Sequence, residues 1–226
     1  HNVPMYMALE ECAKNLSNNS KIHLIQTGWF ANDFIENTFK SEAKKICPSV
    51  NCIFLDGRKQ DNKMLSLASA DIFMSLSDNI QETFGLTPLE GMAAGLPVIV
   101  SDWDGYRSTV RDSIDGFRIP SYSLSSGSGE QLAYNHMVGL INYDQYIGYL
   151  SQNVAIDIDI CLKKLLLLIN DKNLRQKLGN NAKKIANNEF SWSNIISQYK
   201  DLGNDLDKLR TGIESLSELP NFTLPA

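Results

Sequence analysis

No stretch of this sequence concentrates positive charge. Its 21 lysines and arginines are scattered among 26 aspartates and glutamates, for a net charge of −5. Gripping a phosphate backbone calls for clustered cations, so nucleic acid is excluded as a partner. Long apolar runs are missing too. The longest, Leu165–Ile169, falls far short of the roughly 20 residues that a membrane-crossing helix needs. The opening residues His1-Asn2-Val3-Pro4 do not read as a secretory leader, and the chain does not start with Met. Cysteine is sparse. Cys12, Cys47, Cys52 and Cys161 include no Cys-x-x-Cys pair, which argues against a zinc site. Three of them sit in apolar surroundings and read as buried free thiols in a reducing cytoplasm. No internal repeat is visible.

What is present is an alternation. The 226 residues are 43% apolar, enough for one large domain or two small ones. Apolar residues at helical spacing mark Met5–Leu16, Asn32–Cys47 and Asn62–Ser69 as helices. Short apolar runs at 22–27, 50–55, 71–76, 97–101 and 116–119 read as strands. Strands alternating with helices predict an α/β fold, a Rossmann-like parallel sheet with helices on both faces. After Pro120 the character changes. Ser121–Glu130 is rich in serine and glycine and reads as a mobile loop, within an insert spanning about 121–152. Helices are expected again over Asp157–Ile169, Lys172–Asn187 and Ser193–Lys208, and a loosely ordered tail over 210–226.

The stretch 78–105 is the most informative. Glu82 ends a polar loop, Gly85 turns the chain into a helix, and Glu90 follows on that helix, eight residues after Glu82. The helix stops at Gly95, and Pro97–Val100 begins the next strand. Acidic groups therefore lie at the mouth of a strand–loop–helix unit, where open α/β sheets bind ligands. The helix N-terminus suits a phosphate. Carboxylates beside a phosphate need another purpose, and accepting hydrogen bonds from sugar hydroxyls is one.

Glu82, Phe84, Gly85, Leu86, Glu90, Met92, Ala93, Gly95, Pro97 and Val98 match the run "E-x-F-G-L-x-x-x-E-A-M-A-x-G-x-P-V-V". On these residues the chain resembles glycosyltransferase family 4 (group 1), retaining enzymes with the two-Rossmann-domain GT-B fold. The resemblance extends through Asp115-Gly116-Phe117 to Phe190-Ser191-Trp192, covering about residues 3–200, weakest across 121–152.

The resemblance implies that residues 1–209 form the C-terminal, donor-binding half of such an enzyme. A nucleotide-diphosphate sugar would then be the donor substrate. Glu90 would accept the two ribose hydroxyls. Glu82 would bind the donor sugar and serve as the catalytic carboxylate. The amides of Phe84, Gly85 and Leu86 would hold the phosphate. Arg58 would stand in the loop that meets the nucleotide base. Transfer would retain anomeric configuration and need neither cofactor nor metal.

In the family this half opens with a strand and basic residues not recognisable here. That implies an opening strand, normally central, and an acceptor domain upstream. A sheet without its central strand leaves backbone groups to satisfy. Two outcomes are expected: the gap is filled by another segment, from this chain's own tail or from a second copy by exchange, or the sheet is split between 22–27 and 71–76. Self-association is the expectation favoured.

Each candidate has a plainer reading. Glu82 fits a solvated loop residue, Glu90 a carboxylate capped by backbone, Gly85 a turn glycine and Phe84 core packing. Asp102-Trp103-Asp104 and Asp157-Ile158-Asp159 spell the D-x-D of metal-dependent GT-A enzymes, but one follows a strand and the other belongs to an amphipathic helix. Both read as coincidence. His23 reads as structural. Two other classes stay open: a different GT-B enzyme such as a nucleotide-sugar epimerase, and a nucleotide-binding module or inactive remnant.

Overall fold

The computed structural model describes residues 2–16 and 20–211. In chain order the elements are α1 (Asn2–Lys14), β1 (His23–Gly28), α2 (Asp33–Ile46), β2 (Asn51–Asp56), α3 (Gln60–Ser69), β3 (Phe73–Ser75), α4 (Leu86–Ala93), β4 (Val98–Ser101), α5 (Tyr106–Thr109) and β5 (Gly116–Ile119). Then follow β6 (Ser121–Tyr122), α6 (Glu130–Met137), α7 (Tyr143–Ser151), β7 (Ala155–Ile156), α8 (Ile158–Asn170), α9 (Lys172–Glu189) and α10 (Trp192–Thr211). The fold is α/β, with parallel sheets and helices on both faces, as expected.

Local chemistry explains the boundaries. Asn32 caps α2 by accepting from the Ile35 amide, and Asp157 caps α8 by accepting from Ile160. Lysines near the end of α2 suit its negative pole. Helix α1 begins before Pro4, earlier than its apolar pattern indicates, because proline is tolerated in a first turn.

Three strands pair in the order β3-β4-β5, and β1 pairs with β2, all in parallel. Among the described residues, β1 and β3 do not pair with each other. Within the described residues of this single chain the sheet is therefore divided between 22–27 and 71–76. The effect shows in burial: β4, flanked on both sides, is wholly buried, whereas most residues of β1, β2 and β3 are only half-buried. Helices bridge the division. The Tyr6 hydroxyl of α1 donates to Gln26 of β1 at 2.7 Å, while Tyr6, Leu9 and Cys12 share one core with Ile99, Phe117, Cys161 and Leu165. Glycine at 91 lets α4 press onto β3, since a Cβ there would lie 2.6 Å from the Phe73 ring.

Two expectations about single segments change. Ser121–Glu130 does not remain a loop throughout. It opens with β6, which pairs antiparallel with β7, and α6 and α7 fill the segment between them. The capping box of Asn142 and Gln145 starts α7 in a stretch that composition marks only as variable. All four cysteines are free, with Cys12, Cys47 and Cys161 buried. Cys47 and Cys52 hold their sulfurs 3.6 Å apart beside a cavity of about 400 Å³ at the amino-terminal end of β2.

The chain divides into two compact units, His1–Ala186 and Asn187–Ala226. In the second, Asn194 Nδ2 donates to the Asn188 carbonyl at 2.7 Å, fixing the turn into α10. Tyr199, Leu202, Leu206 and Leu209 of α10 are exposed. The tail expected over 210–226 lies outside the described residues beyond Thr211. Among the described residues, no helix is long and apolar enough to cross a membrane.

Candidate functional site

The loop after β3 ends in Glu82 and turns into α4 at Gly85, at the carboxyl edge of the three-stranded sheet. Gly85 is the N-cap, buried, with φ +78°, a left-handed conformation that favours glycine. It offers no side chain to the first turn of α4, so no side-chain cap competes for that positive helix end.

A second loop braces the first. Trp103 Nε1 donates to the Asn79 carbonyl at 3.0 Å. Gly105 packs so closely on the backbone that a Cβ there would lie 2.1 Å from Thr83 O and 2.4 Å from Phe84 Cα. The buried ring of Tyr106 lies against Gly85, and its hydroxyl bonds Ser75 Oγ at 2.8 Å. Burial pushes the Tyr106 phenol up to about 12, and the Glu82 carboxylate beside it adds to the rise. A carboxylate oxygen of Glu82 would lie 3.2 Å from a Cβ on residue 85, so Glu82 folds back over the turn.

Glu90 sits one turn further along α4. Its neighbours Leu89, Gly91 and Met92 are buried, but Glu90 itself is half-exposed and forms a short ion pair with Lys63 of α3. The expected plain alternative, a carboxylate capped by backbone, therefore does not describe it. Arg58 follows β2 in the other sheet. Its guanidinium grips Asp56 through Nε–Oδ1 (2.9 Å) and Nη2–Oδ2 (3.0 Å). That fork holds the Asp56 carboxyl well down, at about 2. The Gly57 amide donates to Gly28 O at 2.8 Å, tying the β1 and β2 loops together.

Glu82, Gly85, Leu86 and Glu90 thus share one loop and helix, and Lys63 reaches them from α3. Arg58 stands apart, turned onto Asp56. Phe84 is not a core residue. The residue is 45% exposed, and its backbone is packed against Gly105. Leu86 is exposed as well. Asp102 accepts from Arg107 Nε at 3.1 Å and lies 3.6 Å from Arg118 Nε, and Asp157 is the α8 cap. His23 is exposed and bonds Asn51, its register partner across β1 and β2. Sequence reasoning missed Tyr106, Trp103 and Lys63, whose partners lie far along the chain. Only the glycine before Tyr106 hinted at a tight approach.

Comparison with known proteins adds to this geometry. The family model described as "Glycosyl transferases group 1" matches residues 6–127. The phosphatidyl-myo-inositol mannosyltransferase of Mycobacterium leprae (strain TN) is 33% identical over 87 residues, 38% of this chain and 22% of that protein. The chain spans 21–22% of the length of the curated relatives it matches. Among solved structures, the sucrose-phosphate synthase of Thermosynechococcus elongatus superposes with a TM-score of 0.60 at 16% identity. That match covers 92% of this chain and 44% of the other. Anabaena Alr3699/HepE in complex with UDP-glucose gives a TM-score of 0.54 at 17% identity, covering 91% and 44%. Both likenesses speak to the fold.

Proposed function

This chain belongs to the group 1 glycosyl transferases, and from that premise we propose that it is the donor-binding part of a retaining, family 4 type enzyme. The enzyme would transfer a hexose from a nucleoside-diphosphate sugar to an acceptor bound elsewhere in a longer protein. One observation carries the assignment: Glu82 and Glu90 flank a glycine turn into α4 whose first turn has no side-chain cap.

Each residue then has a task. The positive end of α4, with the amides of Phe84, Gly85 and Leu86, receives the diphosphate. Glu90 accepts both ribose hydroxyls, a bidentate role that suits a carboxylate, and Lys63 holds it in place beforehand. Glu82, folded over Gly85 beside Tyr106, faces the donor sugar. The backbone of the Gly57–Arg58 turn meets the base, while the Arg58 side chain stays on Asp56. Charge developing on the leaving diphosphate is met by helix and amide dipoles, so the transfer proceeds without a metal. UDP-glucose in the Anabaena complex supports a nucleotide-sugar ligand for a fold of this kind.

Calorimetry of the chain with UDP, GDP and ADP tests the site. Binding of one nucleotide that is lost in a folded Glu90→Ala variant is the expected result. Affinity unchanged by that substitution removes Glu90 from the site. Binding of no nucleotide favours the inactive remnant instead. Transfer by the full-length enzyme should survive chelator, and dependence restored only by Mg²⁺ or Mn²⁺ would return attention to Asp102 and Asp104.

A further inference from the structure

Between Glu130 and Asp157 the only formally charged side chain is Asp144, and four of the chain's eight tyrosines fall there: Tyr134, Tyr143, Tyr146 and Tyr149. This is the α6–α7 segment. His136 of α6 stacks on Tyr146 of α7 with ring centroids 5.2 Å apart and planes 12° from parallel, and lies 5.7 Å from the Tyr143 ring. The capping box fixes Tyr143 as the first residue of α7, and His136 Nδ1 lies 3.2 Å from the Ile141 carbonyl. The rings are thus held locally rather than buried. Tyr134, Tyr143 and Tyr149 are 53%, 45% and 43% exposed.

The cluster meets the candidate site at one bond. Gln81 Nε2 donates to the Tyr143 hydroxyl at 2.8 Å, and Gln81 immediately precedes Glu82. A fixed aromatic surface therefore borders the loop assigned to the sugar end of the donor. Its chemistry is specific. Aromatic faces pack on the C–H face of a sugar ring, and side-chain amides such as Gln81, Asn135 and Gln145 can both donate to and accept from hydroxyls. Without lysine or arginine, the segment lacks the cations that a phosphorylated ligand or an anionic membrane would require.

We propose that the α6–α7 hairpin is a binding surface for a neutral pyranose ring beside Glu82, with Tyr143 as its platform. The proposal rests on the assignment of Glu82 to the sugar end of the donor. The ring belongs either to the donor hexose or to a saccharide acceptor, and the experiment separates the two. The folded 226-residue chain is studied by saturation-transfer NMR with glucose, galactose, mannose and maltose. Calorimetry then compares UDP with UDP-glucose and GDP with GDP-mannose.

An acceptor source gives saturation transfer to a free saccharide, reduced about three- to tenfold in Tyr143→Ala, the range expected for loss of one aromatic contact. A donor source gives tighter binding of the nucleotide sugar than of its nucleoside diphosphate. That increment disappears in Tyr143→Ala while nucleoside diphosphate affinity stays. His136→Ala, which unstacks Tyr146, should weaken the same signals, and circular dichroism confirms that each variant is folded. No saccharide signal and no sugar-dependent increment in the wild type overturns the proposal, as do signals that Tyr143→Ala leaves unchanged. Saccharide binding without any nucleotide binding keeps the surface and instead refutes the donor site.

Discussion

Tyr106 and Gly85 occupy one another's space: a Cβ at position 85 would lie 2.1 Å from Tyr106 Cε1. The turn that presents α4 is therefore held by sterics as well as by backbone conformation, and the two constraints fall on the same residue. Strand β3 joins in through Ser75, so strand, turn and brace form one packed unit.

Gly85→Ala should accordingly destabilise the chain by about 1–3 kcal/mol, from left-handed backbone strain together with overpacking. Thermal denaturation monitored by circular dichroism measures it. In Tyr106→Ala the steric part disappears, so the two substitutions should be strongly non-additive. Additive losses would show that the ring does not hold the turn.

Glu90→Ala is expected to weaken binding of the preferred nucleoside diphosphate by about 1.5–3 kcal/mol, roughly 10- to 150-fold. The same variant should cease to distinguish ribose from 2′-deoxyribose nucleotides, because the discriminating acceptor is gone. Calorimetry with both forms checks this. Retained discrimination would place the ribose elsewhere.

Glu82→Ala should leave nucleoside diphosphate affinity intact yet lower kcat in the full-length enzyme, since Glu82 is assigned to the sugar. Steady-state kinetics at saturating donor, beside calorimetry, makes the comparison. Lost nucleotide binding with normal turnover would reverse the roles of the two carboxylates.

Alkaline pH should destabilise the chain in a defined window. Burial raises Cys12 to about 11 and Cys47, Cys161 and Tyr106 to about 12. The unfolded chain releases these protons first, thiols near 9 and tyrosine near 10. Stability is therefore fully present below pH 9 and falls as pH rises towards about 12. Melting curves across that range test it, and Tyr106→Phe should flatten the part above pH 10.

Strands β1 and β3 each keep an unpaired edge among the described residues, with half-buried Leu24, Ile25, Phe73 and Met74 alongside. Such edges favour pairing between copies. Sedimentation velocity over a concentration series should therefore show reversible association. A monomer at every concentration would show that helices α1 and α8 already satisfy the division.

The strands were legible because short apolar runs bounded by glycine and aspartate leave little freedom. Strand β5 falls on its expected bounds and β1 to β4 lie within a residue or two of theirs, whereas β6 and β7 were not expected. Helices capped by Asn32 and Asp157 were legible for the same local reason. The α6–α7 pair was not, since its serine- and glycine-rich approach hides a capping box and, although Ile147 is buried, Tyr134, Met137, Tyr143 and Tyr149 are exposed. Phe84 was misread because hydrophobicity says nothing about which side of a strained turn a ring takes. Glu82 and Glu90 were found from their spacing along one segment. Lys63 and Tyr106 were not, because the bonds that bring them to the site span 27 and 31 residues and leave no local pattern.

The ion pair between Lys63 and Glu90 has a further consequence. Lys63 stands on α3, which packs on the β1–β2 sheet, while Glu90 stands on α4, which packs on β3 and β4. Among the described residues, no strand hydrogen-bond ladder ties these two sheets together. A nucleotide spanning the Gly57 turn and α4 would act as a rivet across that seam, so that binding and stiffening become the same event. Amide protons along β1 and β3 would then exchange more slowly in the complex than in the free chain.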